Sequence, residues 1–167
     1  MADTYFNLSQ DYFNTIFEYK EGNLYWKQRP ALCIKIGSLA GTVKRHDPYK
    51  RVQVSRKNLL QHRVIFFMHH GYLPELVDHI DGNSLNNRIE NLREATYSQN
   101  SINKKLVSNN KSGYKNVSWD KNYKKWTVFL RINGRNVGFG LFNDVELAGL
   151  VAEEARNKYH KQFARHK

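Results

Sequence analysis

Cysteine is nearly absent: Cys33 stands alone among 167 residues. A single thiol excludes an internal disulfide and any zinc site built on a cysteine cluster. It fits a reducing, intracellular setting. Long apolar runs are also missing. The patch Val64-Ile65-Phe66-Phe67-Met68 is too short to span a bilayer or to serve as a signal core, and it reads as interior packing. The first residues lack a charged-then-apolar pattern, so neither a secretory leader nor a membrane partner is expected. Acids are scarce, with 15 Asp+Glu against 27 Lys+Arg and a formal net charge of +12. That imbalance favours a polyanionic partner without dictating a fold. Nucleic acid is the commonest such partner; an anionic membrane face or plain solubility are the alternatives. No internal repeat is visible.

What is present is aromatic and periodic. Hydrophobic residues make up 40% of the chain, enough for a core in one medium domain or two small ones. Ser9 is placed to cap a short helix through Tyr12, Phe13, Ile16 and Phe17, and Glu21-Gly22-Asn23 breaks it. Residues 24–27 read as a strand, and 37–43 as a second short strand with a bend. Residues 49–57 alternate, with Val52 and Val54 on one side. Residues 61–70 read as a helix stopped by Gly71, its His69 and His70 a pair favoured by the dipole at the helix end.

Beyond residue 100 the composition shifts. From 104 to 135 there are nine Lys or Arg (104, 105, 111, 115, 121, 124, 125, 131, 135) against one acid, Asp120. Residues 108–113 are small and polar, as in a linker. Three strand-like runs follow, at 114–119, 125–132 and 135–142. Asn133-Gly134 between the last two is a strong hairpin signal. A helix over 144–159 completes the segment. Asn143 and Glu146 fit a capping box, and Val145, Ala148, Ala152, Ala155 and Tyr159 form its buried stripe.

The chemistry concentrates in Val77-Asp78-His79-Ile80-Asp81-Gly82-Asn83, then Asn91-Leu92-Arg93, then Thr96-Tyr97-Ser98-Gln99-Asn100. Hydrolysis of a phosphodiester needs an activated water, a counter-charge and a stabilised leaving oxygen. An imidazole suits the first task, and a divalent cation on hard oxygen ligands suits the other two. His79 is the imidazole; Asp78 and Asn100 offer hard oxygens. Residues 76–80 and 92–95 read as two strands, and Thr96-x-x-Gln99 as a capping box that puts Asn100 in the first turn of a helix. Adjacent residues of a regular strand point to opposite faces, so Asp78 and His79 serve one phosphate only if the strand twists or ends there. Asp81 reads as a turn former in preference to a second metal ligand.

Asp78-His79, Asn91 and Asn100 resemble the HNH (ββα-metal) endonuclease motif. The phrase from Val77 to Asn100 is similar to the branch found in phage-encoded and intron-associated homing endonucleases. Leu24-Tyr25-Trp26-Lys27, Gly37 and His62-Arg63 resemble the lead-in of that group, so the likeness covers about residues 9–105. The resemblance implies His79 as general base and Asp78 and Asn100 as ligands of one Mg²⁺ or Mn²⁺. Asn91, grouped with His79 in the catalytic motif, would pin the long loop without a direct chemical role. Asn at the third motif position favours oxygen ligation over zinc.

Residues 113–160 resemble an AP2-type DNA-binding domain, through Gly113-Tyr114-Lys115-Asn116-Val117, Lys125-Trp126 and Gly140-x-Phe142 before an alanine-bearing helix. That family lays its sheet in the major groove. Alternation turns Trp126, Val128, Leu130 and Ile132 toward the helix, and Lys125, Thr127, Phe129 and Arg131 outward. Ser118, Asn136 and Gly138 depart from the plant pattern. The candidate DNA contacts are Lys115, Ser118, Thr127, Phe129, Arg131 and Asn136, with Arg63 and Arg93 from the first part.

The expected class is α+β: a ββα-metal nuclease core with a small sheet and helix extension before it, then a three-stranded antiparallel sheet on one helix. The expected boundaries are 1–105 for the nuclease domain, 106–112 for a linker, 113–163 for the AP2-like domain and 164–167 for a basic tail. The function read from this is a divalent-metal endonuclease acting on double-stranded DNA, without an obligatory protein partner, in the cytoplasm of a bacterial host if phage-encoded. A DNA-binding regulator with a non-catalytic scaffold and an RNA-directed protein are the alternatives.

Overall fold

Ser9 caps the first helix as its hydroxyl accepts from Tyr12 N–H at 3.1 Å. The computed structural model describes residues 8–104 and 106–165. Residues 1–7 and Lys105 of the expected nuclease domain, and 166–167 of the expected tail, lie outside them. The chain divides into two compact units between Tyr97 and Ser98.

The first unit opens with α1 (Gln10–Ile16), then β1 (Phe17–Lys20) and β2 (Asn23–Trp26). Phe17 was expected to extend the helix. It begins a strand instead, and its ring stays buried against Trp26 at 4.7 Å. β3 (Leu39–Ala40) pairs with β2, while β4 (Thr42–Val43), β5 (Lys50–Val54) and β6 (Lys57–Leu60) form a second sheet. The β5–β6 hairpin turns on Ser55 and Arg56, at φ of 48° and 64°. This left-handed pair carries no glycine and gave no turn signal. α2 (Gln61–His70) follows, and Gly71 closes it in the left-handed conformation at φ 75°, its N–H bonded to Phe67 C=O at 2.9 Å. His69 Nδ1 meets Ile65 C=O at 2.8 Å and His70 packs on Phe66, so both are helix-end residues.

β7 (Leu76–His79) and β8 (Leu92–Ala95) form an antiparallel pair, with a 3₁₀ turn at Ile89–Asn91 before β8. Phe13, Phe17, Leu24, Val52, Val64, Ile65, Val77 and Leu92 meet in one core, which joins β7, β8 and α2 to the lead-in strands. α3 (Tyr97–Ile102) straddles the division between units.

The second unit holds β9 (Val117–Asp120), β10 (Lys125–Ile132) and β11 (Arg135–Phe142), an antiparallel sheet in the order β11-β10-β9, with α4 (Val145–His160) packed on it. Asn133 and Gly134 make the expected tight turn at φ 50° and 79°. Val117, Val128, Leu130, Ala148, Ala152 and Ala155 are its core. Two expectations for α4 are corrected. Asp144, not Asn143, caps it, its carboxylate accepting from Leu147 N–H at 2.7 Å. Tyr159 is 44% exposed, and the buried stripe runs instead through Gly149 and Arg156. Arg156 is buried because its guanidinium donates to Lys115 C=O at 2.6 Å and so ties the approach to β9 onto the helix. The stretch at 106–112, expected to be a linker, contains turns closed by its own side chains. Asn110 Oδ1 accepts from Gly113 N–H at 2.7 Å, and Ser112 Oγ donates to Tyr114 C=O at 2.9 Å.

Candidate active site and sheet surface

Asp78 and His79 are the last two residues of β7, and both are buried. Asp78 lies opposite Arg93 in the β7–β8 register. Cross-strand neighbours are within side-chain reach, and Arg93 Nε and Nη2 both donate to Asp78 Oδ2, at 2.9 and 2.8 Å. Arg93 was expected on DNA; its guanidinium holds the carboxylate because strand register puts the two together.

His79 has different surroundings. Its Nε2 lies 2.9 Å from Asn87 Oδ1. Asn87 Nδ2 donates to Gln61 Oε1 at 3.3 Å, and Gln61 Nε2 donates to Ala40 C=O at 3.3 Å. The imidazole also packs at 4.8 Å from the His62 ring and 6.2 Å from Tyr49. Burial, aided by the charges of His79, Arg63 and Arg51, pushes the His62 imidazole down to about 3, so it is neutral at pH 7. Neither Gln61 nor Asn87 was singled out from sequence. A signal existed for Gln61, since it shares the stripe of Ile65 and Met68 at i, i+4, i+7 and so had to be a buried polar group.

The loop after β7 is held from its far end. Asn91 Oδ1 accepts from Asp81 N–H at 3.0 Å, and Asn91 Nδ2 donates to Asp81 Oδ1 at 2.9 Å and Asn86 C=O at 2.8 Å. Ile80 N–H reaches Asn91 C=O at 2.9 Å. Asp81 is a turn former, accepting from Asn83 N–H at 2.8 Å and Asn86 Nδ2 at 2.7 Å. Burial pushes its carboxyl up, but these bonds with that from Asn91 outweigh it and leave the group below its ordinary range.

Among the described residues no group of three or more His, Cys, Asp or Glu is placed to hold a metal ion. Asp78 is a hard-oxygen donor already matched to a cationic group. A carboxylate oxygen is a donor of the kind that divalent cations take. Asn100 stands half-buried on α3, in the second unit. Arg63, expected on DNA, donates to the carbonyls of Pro74 and Glu75 at 3.3 and 3.2 Å and so anchors the approach to β7.

On the second unit, Ser118, Phe129, Arg131 and Asn136 are exposed as expected, Phe129 by 49%. Thr127 corrects the reading, being 7% exposed on the central strand between Ser118 and Leu141 in register. Lys115 is half-buried and donates to Ile102 C=O at 3.3 Å. Burial, then the charges of Arg156 and Arg165, push its ammonium down to about 8. A bulge at Val128/Phe129 shifts the register, and the Phe129 ring lies over Gly138, where an added Cβ would meet it at 3.0 Å.

Residues 60–102 match a family model described as HNH endonuclease. Protein 3.8 of Escherichia phage T7 is 37% identical over 89 residues, which cover 53% of this chain and 73% of that protein. A protein of Acanthamoeba polyphaga mimivirus, named as an uncharacterized HNH endonuclease, is 48% identical over 70 residues, 40% of this chain and 36% of its own length. No solved structure matches the chain at a significant level. The matched span takes in β7, the pinned loop, β8 and α3, and with them Asp78, His79, Asn91 and Asn100. The chain belongs to the HNH endonuclease family and is a nuclease.

Proposed function

We propose that the protein is a divalent-metal-dependent endonuclease of double-stranded DNA, of the homing type carried by phages and mobile elements. The observation that carries the reading is the end of β7, where a carboxylate and an oriented imidazole sit side by side with a loop pinned beyond them. His79 takes a proton from water as that water's oxygen attacks the phosphorus, and the P–O bond to the leaving oxygen breaks. Asp78 and Asn100 would hold one Mg²⁺ or Mn²⁺, which when bound supplies positive charge to the phosphorane and the leaving oxygen. Asn91 keeps the loop in place and touches no reacting atom.

The sheet of the second unit, read as AP2-like over residues 113–163, supplies placement on DNA. Arg131 and Asn136 are its exposed polar pair in register, beside the exposed Phe129 ring, an arrangement suited to phosphate, base-edge and sugar contact. Arg93 and Lys115 spend some of their donors within the protein, on Asp78 and on Ile102 C=O, and keep others for a phosphate. The test is a supercoiled plasmid incubated with purified protein. In Mg²⁺ the plasmid becomes relaxed or linear, and EDTA stops the conversion. A plasmid left supercoiled in both Mg²⁺ and Mn²⁺ contradicts the proposal.

A further inference from the structure

We propose that Gln61 and Asn87 are positioning residues that select the tautomer of His79 and make Nδ1 the atom that receives the proton. The proposal rests on the reading of His79 as general base. Its starting point is the Ala40 carbonyl, which can only accept. Gln61 therefore turns its NH₂ toward that carbonyl, at 3.3 Å. The other end of the same amide is an oxygen, and it faces Asn87. Asn87 must then present its own NH₂ there, also at 3.3 Å. Its remaining atom, Oδ1, is left pointing at His79 Nε2, 2.9 Å away.

An amide oxygen has no proton to give, so Nε2 carries the hydrogen. A neutral imidazole has one N–H, and its lone pair lies on Nδ1. The direction of both amides is thus set by a backbone group two residues removed from the imidazole, and not by either amide alone. Burial makes the order strict, with Gln61 at 0%, Asn87 at 2% and His79 at 6% exposure. Reversing the chain would bring two carbonyl oxygens together at Ala40, in a place with little access for water to relieve them. The His62 and Tyr49 rings beside His79 hold the imidazole plane while Asn87 holds its edge. When the imidazole is protonated, both nitrogens donate, and Asn87 Oδ1 is already in place to accept from the cation. The relay therefore serves the base in both of its states, as outer hydrogen bonds serve the histidines of other sites.

The experiment uses the full chain labelled with ¹⁵N. Two-bond ¹⁵N–¹H spectra report the tautomer of each histidine, and His79→Ala identifies the signals of His79. The wild type is expected to show hydrogen on Nε2 at neutral pH. Asn87→Leu removes the acceptor; its His79 is expected to show a mixture of tautomers, and kcat to fall on the order of 10–100-fold with KM little changed. Asn87→Asp returns an acceptor oxygen to Nε2 and is expected to restore the wild-type tautomer, but its second oxygen faces Gln61 Oε1 without a hydrogen to donate, so the rate is expected to recover only in part. Hydrogen on Nδ1 in the wild type overturns the proposal, and that spectrum needs no variant to fold. So does an Asn87→Leu protein that keeps both signature and kcat. Cleavage by His79→Ala at the wild-type rate sinks the base reading itself, whereas an inactive His79→Ala beside an unaffected Asn87→Leu sinks the relay alone.

Discussion

Asp78 and His79 are bonded neighbours at the end of β7, each with its own partners. Asp78 turns to Arg93 across the β7–β8 pair, and His79 turns to Asn87 and the rings of His62 and Tyr49. The strand ends at His79, where Gly82 N–H closes back on its carbonyl at 2.8 Å. The motif letters were legible in the sequence because they recur at a recognisable spacing. Their supports were not. Arg93 looked like a surface cation because register, and not spacing, brings it to Asp78. His62 carries the clearest pH prediction at this scale. Its folded pKa, about 3, lies below the ordinary 6.5, so between those values the unfolded chain binds the extra proton. Stability is therefore complete above pH 6.5 and is lost as pH falls through that window, by roughly 4–5 kcal/mol in total if His62 stays neutral. Chemical denaturation at pH 7 and pH 4.5 measures this. His62→Gln is expected to show a shallower fall than the wild type; identical slopes would mean that His62 does not set the acid limb.

At the scale of elements, what the sequence made legible tracks the strength of local signals. α2 was readable at both ends because Gly71 stops it, and the β10–β11 hairpin because Asn133-Gly134 supplies two left-handed residues. β1 was hidden because Phe17 continues the apolar stripe of α1, so periodicity could not separate a buried helix residue from a buried strand residue. β6 was hidden because Ser55 and Arg56 adopt left-handed φ without glycine. On α4 the capping pattern was offset by one residue, since Asn143 and Asp144 are both good caps and only the observed bond chooses. Gly149 offers an element-scale test. Glycine within a helix is ordinarily worse than alanine by roughly 0.5–1 kcal/mol. Here an added Cβ would meet Tyr114 Cδ1 at 2.5 Å, near the base of the ring where it cannot swing aside. Gly149→Ala is expected to destabilise by about 1–3 kcal/mol instead of stabilising, as read from denaturant midpoints. A raised midpoint would show that Tyr114 does not seal the helix.

At the scale of the whole molecule, the two units have different chemical characters. The first gathers the buried carboxylate, the imidazole and its amide relay. The second shows a solvent face with Phe129, Arg131 and Asn136. The net charge of +12 gives the chain attraction to a polyanion regardless of sequence. Composition made that attraction legible from the start, but it could not say which cations are engaged internally; Arg63, Lys115 and Arg156 proved to hold backbone carbonyls. Grip on DNA and hydrolysis of its backbone are therefore expected to be separable. The most direct measurement is single-turnover cleavage of plasmid DNA in Mg²⁺ by wild type and by His79→Ala, with binding of each measured on the same DNA. Equal binding is expected, with a cleavage rate lower in the variant by at least about 100-fold, the low end of general-base effects. Equal cleavage rates at equal binding would contradict the reading of His79 as general base.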